Sequence, residues 1–419
     1  MNIRKPEYYD EFVCTADRCP MTCCREWKIG VDDLTNQKWK ELKPPKEVHP
    51  VRKNLSQYTG KKDGARVIAL NKKHLCPFLD EKKLCRLVCT YGDDVLSETC
   101  RVFPREVHTF QDRKEFFLMP SCPAVIDLMR KYPDCKYLEN TIIEDQTEQT
   151  LGQLAVENSK NPSLSQFEND NTTDLTIEGE LMILRKARSI FSDWMRRKEY
   201  TPSENLKHIF FAALELQRIL QEKQSYSKVL SDLDEYKSTK LQKQLADAIE
   251  KIPSDSESAF YEQNELFLDL TANYESEGLY QAELSYAIDQ ANKLEENDNL
   301  YSTEFAKNKT EFEADFSNWS ELMRCFLTAE IESDCLLPEG NMQDFLVHLE
   351  WIALEYATIK HFLFLDRLEN GKLTYERVRS AVVLICRMTG YEEDDIYEYL
   401  EDSFEDVIWE WGYLALILS

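Results

Sequence analysis

The segment that decides the fold is Phe345-Leu-Val-His-Leu-Glu-Trp-Ile-Ala-Leu-Glu-Tyr-Ala-Thr-Ile-Lys-His-Phe-Leu-Phe-Leu365. Within it Phe345, Leu349, Ile352, Ala353, Tyr356, Ile359, Phe362 and Leu363 recur at helical spacing. Apolar residues also spill beyond a single stripe, which predicts a helix buried at the centre of a core rather than one laid on its surface. Upstream, Leu206, Ile209, Phe210, Ala213, Leu214, Ile219 and Leu220 mark an amphipathic helix that starts at Pro202-Ser203. Downstream, Val378, Ala381, Val382 and Ile385 continue the series, with Gly390 as a stop. Strand-like alternation is scarce after residue 180, and no fixed-period repeat indicates a solenoid. With only 11 glycines among 419 residues, Gly-rich phosphate loops, propellers and sandwiches are disfavoured and helices favoured.

Working outward, charge and cysteine divide the chain in the same place. Residues 1–140 carry 26 Lys/Arg against 21 Asp/Glu, a net of +5, whereas residues 141–419 carry 25 against 56, a net of −31. Ten of the 13 cysteines lie in the first 140 residues. The expected fold is mainly α: a small Cys-rich metal-binding N-terminal domain with a short β-hairpin (1–140), an acidic linker or mobile loop (141–180), and an acidic all-α helical domain (181–419). In the head, segment 44–65 reads as loop, Ala65–Leu70 and Leu75–Leu87 as the two arms of the hairpin, and Cys122-Pro123 as the start of a helix. The acidic body repels nucleic-acid phosphates, so no nucleic acid is expected as partner. It suits a Lys-bearing protein, although charge that merely keeps a face solvated is the plainer reading. No apolar run reaches the roughly 18 residues of a membrane helix, and the polar N-terminus lacks a secretory signal. A soluble cytoplasmic protein is expected, with no membrane partner.

The cysteines carry the chemistry. They run Cys14-x4-Cys19-x3-Cys23-Cys24, then Cys76-x8-Cys85, Cys100 and Cys122. Cys19, Cys76 and Cys122 each precede a proline. Proline at the first helical position makes the preceding residue a helix cap, where free N–H groups lower a thiol pKa and prepare a thiolate ligand. If Pro20 opens a helix, Cys19 and Cys23 share one face. Reducing conditions argue against disulfides, and so many clustered thiols argue against inert buried cysteines. A thiolate zinc site or an iron–sulfur cluster remains, and both favour sulfur. The triplet Cys-x3-Cys-x2-Cys is not formed, because Glu26 stands where its third cysteine would be. His74 lies near Cys76 but reads as solvent-facing. Arg101 and Arg105 could clamp a carboxylate or offset thiolate charge near Cys100, or simply lie at the surface.

The blocks Phe12-Val-Cys14-x4-Cys19-x3-Cys23-Cys24-x2-Trp27-x-Ile29, Cys76-Pro-Phe-Leu-Asp-x4-Cys85, Leu96-Ser-x-Thr-Cys100-Arg101-x-Phe-Pro104-Arg105 and Ser121-Cys122-Pro123-Ala124 resemble, in the same order, the flagellin lysine-N-methylase (FliB) family. Shorter forms of the pattern occur in a wider group of zinc- or iron-chelating proteins. The resemblance covers roughly residues 7–130. Beyond 180 it extends only to length and helical character. It implies transfer of methyl from S-adenosylmethionine to lysine side chains of a protein substrate such as flagellin. It also implies an iron–sulfur centre (4Fe-4S, with zinc as the alternative) on Cys14, Cys19, Cys23, Cys24, Cys76, Cys85, Cys100 and Cys122. Cys89 and Cys135 look like additions peculiar to this chain. No G-x-G-x-x-G turn follows a strand, so S-adenosylmethionine would need a geometry other than the Rossmann type, such as a cleft between head and body or an open iron position. No catalytic or cofactor-binding residue is assigned. A non-enzymatic metal-binding or redox module that docks a partner is the competing expectation.

Overall fold

The computed structural model describes residues 1–62, 64–141, 173–222, 225–252, 256–295, 303–390, 393–404 and 411–419. In the head, strands β1 (Asn2–Pro6), β2 (Thr59–Lys62), β3 (Ala65–Ile68), β4 (Arg105–Thr109), β5 (Arg113–Leu118) and β6 (Tyr137–Thr141) alternate with helices α1 (Asp33–Glu41), α2 (Arg86–Tyr91), α3 (Glu98–Val102) and α4 (Pro123–Lys131). The body is helical: α5 (Thr173–Arg196), α6 (Pro202–Gln221), α7 (Tyr226–Asp232), α8 (Thr239–Ile249), α9 (Ser256–Ser276), α10 (Gln281–Glu295), α11 (Thr303–Phe316), α12 (Ser320–Ser333), α13 (Met342–Asn370), α14 (Tyr375–Met388), α15 (Glu393–Phe404) and α16 (Trp411–Ile417). The chain is mainly helical with a small β region at its N-terminus, as the composition implies. Most of the expected acidic linker, residues 142–172, lies outside the described residues. Helical structure begins at Thr173, ahead of the expected 181.

Local sequence explains the principal helices. A capping box formed by Thr201 and Glu204 starts α6, with Pro202 at its first position. A second box, Asn341 with Asp344, starts α13, and Gly371 at φ 78° ends it. From Phe345 to Asp366 every residue of α13 is buried. Phe345, Ile359 and Leu363 are at most 1% exposed, so the helix is enclosed by its neighbours.

The head differs from expectation in two respects. The hairpin pairs β2 with β3, with Thr59 opposite Ile68 and Lys62 opposite Ala65, so its first arm falls in the segment read as loop. Leu75–Leu87 supplies only isolated bridges, Arg25 to Leu75 and Leu79 to Cys85. Polar Thr59–Lys62 gives no alternating signal, because this exposed arm buries little. A four-stranded sheet of order β4-β5-β1-β6 is the second difference. Its β1–β5 pairing is parallel and long-range, joining Asn2 to Arg113, and such a pairing leaves no short-range trace in sequence.

Two hydrophobic clusters result. The smaller holds Ile29, Val31, Trp39, Leu55, Tyr58, Phe78 and Leu87, with Cys24, Cys85 and Cys100 packed against it. The larger runs from Tyr8, Phe12 and α4 into the body helices. Packing therefore does not divide at residue 140: the sheet and α4 share the core of the helical body. Buried charges fasten the same seam. Arg4 on β1 meets Glu332 on α12 at 2.7 Å, and Arg188 on α5 meets Glu115 on β5 at 2.7 Å and Glu332 at 3.3 Å. No helix among the described residues is long and apolar enough to cross a membrane.

Candidate metal centre

The first cysteine run is built from turns, not a helix. Ala16–Arg18 forms a single 3-10 turn that ends at Cys19, and Pro20 to Cys24 are bends and coil. Cys19 and Cys23 thus do not share a helical face, because no helix follows Pro20. Cys76-Pro77 lies in a turn as well. Of the three Cys-Pro pairs, only Cys122 caps a helix with proline at its first position. Cys85 caps α2, and Cys100 lies within α3, whose cap Ser97 accepts a bond from Cys100 N.

Loop pairing brings these segments together. Cys76 N donates to Cys24 O at 2.8 Å, and Glu26 N donates to His74 O at 2.9 Å. The Cys19 thiol donates to Met21 O, and Lys83 Nζ donates to Cys19 O at 3.1 Å. Gly30, bridged to Val67, lets its segment approach α3: a Cβ built there would stand 2.8 Å from Thr99 Oγ1, one residue before Cys100. Trp27 packs on Phe103, ring centroids 5.0 Å apart, and its indole N–H donates to Cys23 O.

Seven of the eight expected cysteines share one electrostatic neighbourhood centred on Cys23. A hydrogen bond with Cys24, then burial, then the Cys24 charge push the Cys23 thiol well above its ordinary range. Burial pushes up Cys19, Cys76, Cys85, Cys100 (to about 11) and Cys122 (to about 12), and the charge of Cys23 adds to each. This reverses the expected lowering at the Cys-Pro positions, since dehydration outweighs the few N–H groups nearby. Cys14 stands apart from these pairings, exposed, with its sulfur accepting a bond from Ala16 N at 3.4 Å. Cys89 is exposed beside Cys85, whereas Cys135 is buried elsewhere, against Tyr8 and Cys325.

All thirteen cysteines are free thiols. Among the described residues, no three His, Cys, Asp or Glu side chains are arranged to hold a metal ion. The donor chemistry fits a thiophilic ion, because gathered, partly dehydrated thiols become thiolates only when a cation offsets their repulsion.

Arg105 lies over the Phe12 ring at 4.8 Å, and Arg101 is exposed on α3, so neither is seen clamping a carboxylate. His74 occupies a left-handed turn at φ 55°, half-buried.

The body supplies residues that the linear pattern does not flag. Arg387 on α14 donates from Nε to Ser121 O at 3.0 Å, from one terminal nitrogen to Thr22 O at 3.0 Å and from the other to Met21 O at 2.8 Å. Its charge favours the thiolate forms of Cys19 and Cys23. Arg25 forms a two-pronged bond with Glu283 of α10 at 3.0 and 3.1 Å. Glu26 accepts from Tyr280 N at 3.0 Å. The cysteine loop is thus held against the body from two sides. An arginine near the end of an amphipathic helix reads as solvent-facing, and the one available signal was Glu26, flagged only for not being cysteine.

Comparison with known proteins finds a family match across the body. Residues 188–417 match the family model for the FliB lysine N-methylase C-terminal domain. Proteins named lysine-N-methylase from Salmonella typhimurium and Salmonella choleraesuis are each 30% identical over 156 residues, covering 34% of this chain and 36% of theirs. A flagellar biosynthetic protein FliU from Salmonella muenchen is 29% identical over 149 residues, covering 33% of this chain and 82% of its own. The match thus spans about a third of the length of the two lysine methylases. No solved structure matches.

Proposed function

The chain belongs to the FliB lysine N-methylase family, and from that premise we propose that it is an S-adenosylmethionine-dependent protein lysine methyltransferase acting on flagellin, with a thiolate-held centre in its head. The observation that carries the reading is the family match across the helical body, together with relatives whose names state lysine N-methylation. The transfer needs a neutral lysine amine, stripped of water and in line with the sulfonium methyl. The net −31 of residues 141–419 favours approach of a Lys-bearing substrate.

The residues that would hold the centre are drawn from Cys19, Cys23, Cys24, Cys76, Cys85, Cys100 and Cys122, with Cys14 reaching it only if its loop moves. Bound there, an iron–sulfur cluster supplies a redox centre and zinc a structural one. Arg387 and the Arg25–Glu283 pair orient the loop that presents the first three thiols.

Incubation with labelled S-adenosylmethionine and flagellin tests the activity: methyl-lysine in flagellin is expected. Absence of both label transfer and calorimetric cofactor binding refutes it. Iron and sulfide analysis of anaerobically purified protein tests the centre, and zinc without sulfide rules out the cluster. A second reading, a thiolate metal or redox module that docks a partner without catalysis, is favoured by the lack of a Gly-rich cofactor turn.

A further inference from the structure

A second group of thiols meets where the head sheet packs on the body. Cys135 closes the turn Tyr132-Pro133-Asp134-Cys135 between α4 and β6, and Cys325 lies on α12. Both are 0% exposed and belong to the larger core cluster. One carbonyl draws them together: Tyr132 O accepts from Cys135 N at 3.1 Å and from Cys325 Sγ at 3.5 Å. The two thiols also hydrogen-bond to each other, and the Tyr8 hydroxyl lies 3.9 Å from Cys135 Sγ. The chain reaches this arrangement against a local preference. Cys135 stands at φ 46°, in the left-handed region where a Cβ crowds the backbone and glycine is the usual occupant. Such a residue persists where its surroundings fix it, and often at a functional position. Here it brings the Cys135 thiol to that of Cys325.

Burial, then the bond with Cys135, push the Cys325 thiol well above its ordinary range. In the closed seam it stays protonated and does not attack a disulfide. Exchange waits on local opening of the turn between α4 and β6, which sets this pair apart from exposed Cys14 and Cys89. Once one of the two sulfurs carries a mixed disulfide, the other is held beside it, so closure within the pair outruns reaction with a second reagent molecule.

We infer that Cys135 and Cys325 form a redox-sensitive latch, a disulfide that closes between the head sheet and α12 when a small-molecule disulfide oxidises them. As the turn opens, one protein thiolate attacks the S–S bond of the small disulfide, keeps one half as a mixed disulfide and releases the other as a thiol. The second cysteine then displaces the retained half. Two protein thiols are oxidised to one S–S bond, the small disulfide is reduced to two thiols, and both protons leave on those thiols. The new bond ties the head to the body across the seam that Arg4 and Glu332 fasten by charge, and restrains their separation. In reducing compartments disulfides of this kind are transient and redox-sensing. The latch stands independently of the methylation reading.

The test is to incubate the full-length protein with an apolar aromatic disulfide, quench by alkylation, digest, and map the cysteines by mass spectrometry. Cys14 and Cys89 should be capped first. A peptide pair joined through Cys135 and Cys325 should follow, form faster on mild warming, and disappear on reduction. The oxidised parent should melt several degrees above Cys135→Gly and Cys325→Ala oxidised in the same way, and reduction should abolish that gain. Glycine suits the left-handed turn, so Cys135→Gly keeps the fold while removing the thiol. Recovery of Cys135 and Cys325 as separate adducts, or joined to other cysteines, overturns the inference. So does a joined pair that melts no higher than oxidised Cys135→Gly.

Discussion

Replacing Arg387 by Met should loosen the cysteine loop from a position more than 360 residues away in sequence. Its guanidinium donates to the carbonyls of Met21, Thr22 and Ser121 at 2.8–3.0 Å, and the residue is 7% exposed. A buried carbonyl left without a donor costs about 1–3 kcal/mol. Two of these bonds are buried and the third is partly so, which gives a combined loss of about 2–5 kcal/mol after partial rehydration. A loss near 3 kcal/mol, felt as easier local opening, raises the population of the open loop by about 100-fold. The assay is the rate of thiol labelling by a disulfide reagent in the native protein, read beside thermal unfolding. Labelling of Cys19, Cys23 and Cys24 should accelerate by that factor. Arg387→Lys should recover only part of the loss, because an ammonium cannot serve three carbonyls held in a fork. Labelling within about threefold of the parent protein, with unchanged melting, would refute the clamp, since an opening change that small is under 1 kcal/mol.

Gly30→Ala should destabilise the head by about 1–3 kcal/mol, because its Cβ meets Thr99 Oγ1 at 2.8 Å; adding Thr99→Ala should restore much of the loss in urea unfolding, and no rescue would contradict the contact. Burial drives the Glu332 carboxyl upward, but Arg4 and Arg188 hold it at about 2. A depressed carboxylate stabilises the fold above its unfolded value of 4.5 and loses that contribution as pH falls from 4.5 through 2, about 3 kcal/mol in all. Glu332→Gln should therefore flatten the acid limb of a stability–pH curve, and an unchanged limb would count against the network. Leu363→Ala on α13, 0% exposed, should cost about 2–5 kcal/mol; under 1 kcal/mol in denaturant unfolding would show that α13 is not central. Cys23→Ser with Cys24→Ser should release bound metal and lower the melting temperature of the purified protein, whereas retained metal at full stoichiometry would move the centre elsewhere.

Much of the helical body was legible because its signals are local. The apolar positions of α13 and the start of α6 at Pro202 lie within one or two turns of the residues they organise. The β region was less legible: β1 pairs with β5 across more than 100 residues, and the first arm of the hairpin is polar and exposed. At the candidate centre, cysteine spacing pointed to a metal cluster; the charge of Cys23 reaches the other head thiols, but among the described residues no three side chains are arranged to hold a metal. Spacing misjudged how they get there, by turns rather than a helix at Pro20, and misjudged the direction of their pKa shifts, which burial decides.

Residue order alone determined which side chains this protein can bring to bear: an acidic helical body, a thiol-rich head and the periodicity of each long helix. Those follow from composition and from 3.6-residue geometry, which act over a few residues. Tertiary structure decided how dry the thiols are, and that Arg387, Glu283 and Tyr280 of the body fasten their loop. Desolvation and a buried carbonyl's need for a donor depend on neighbours brought together only by the folded chain.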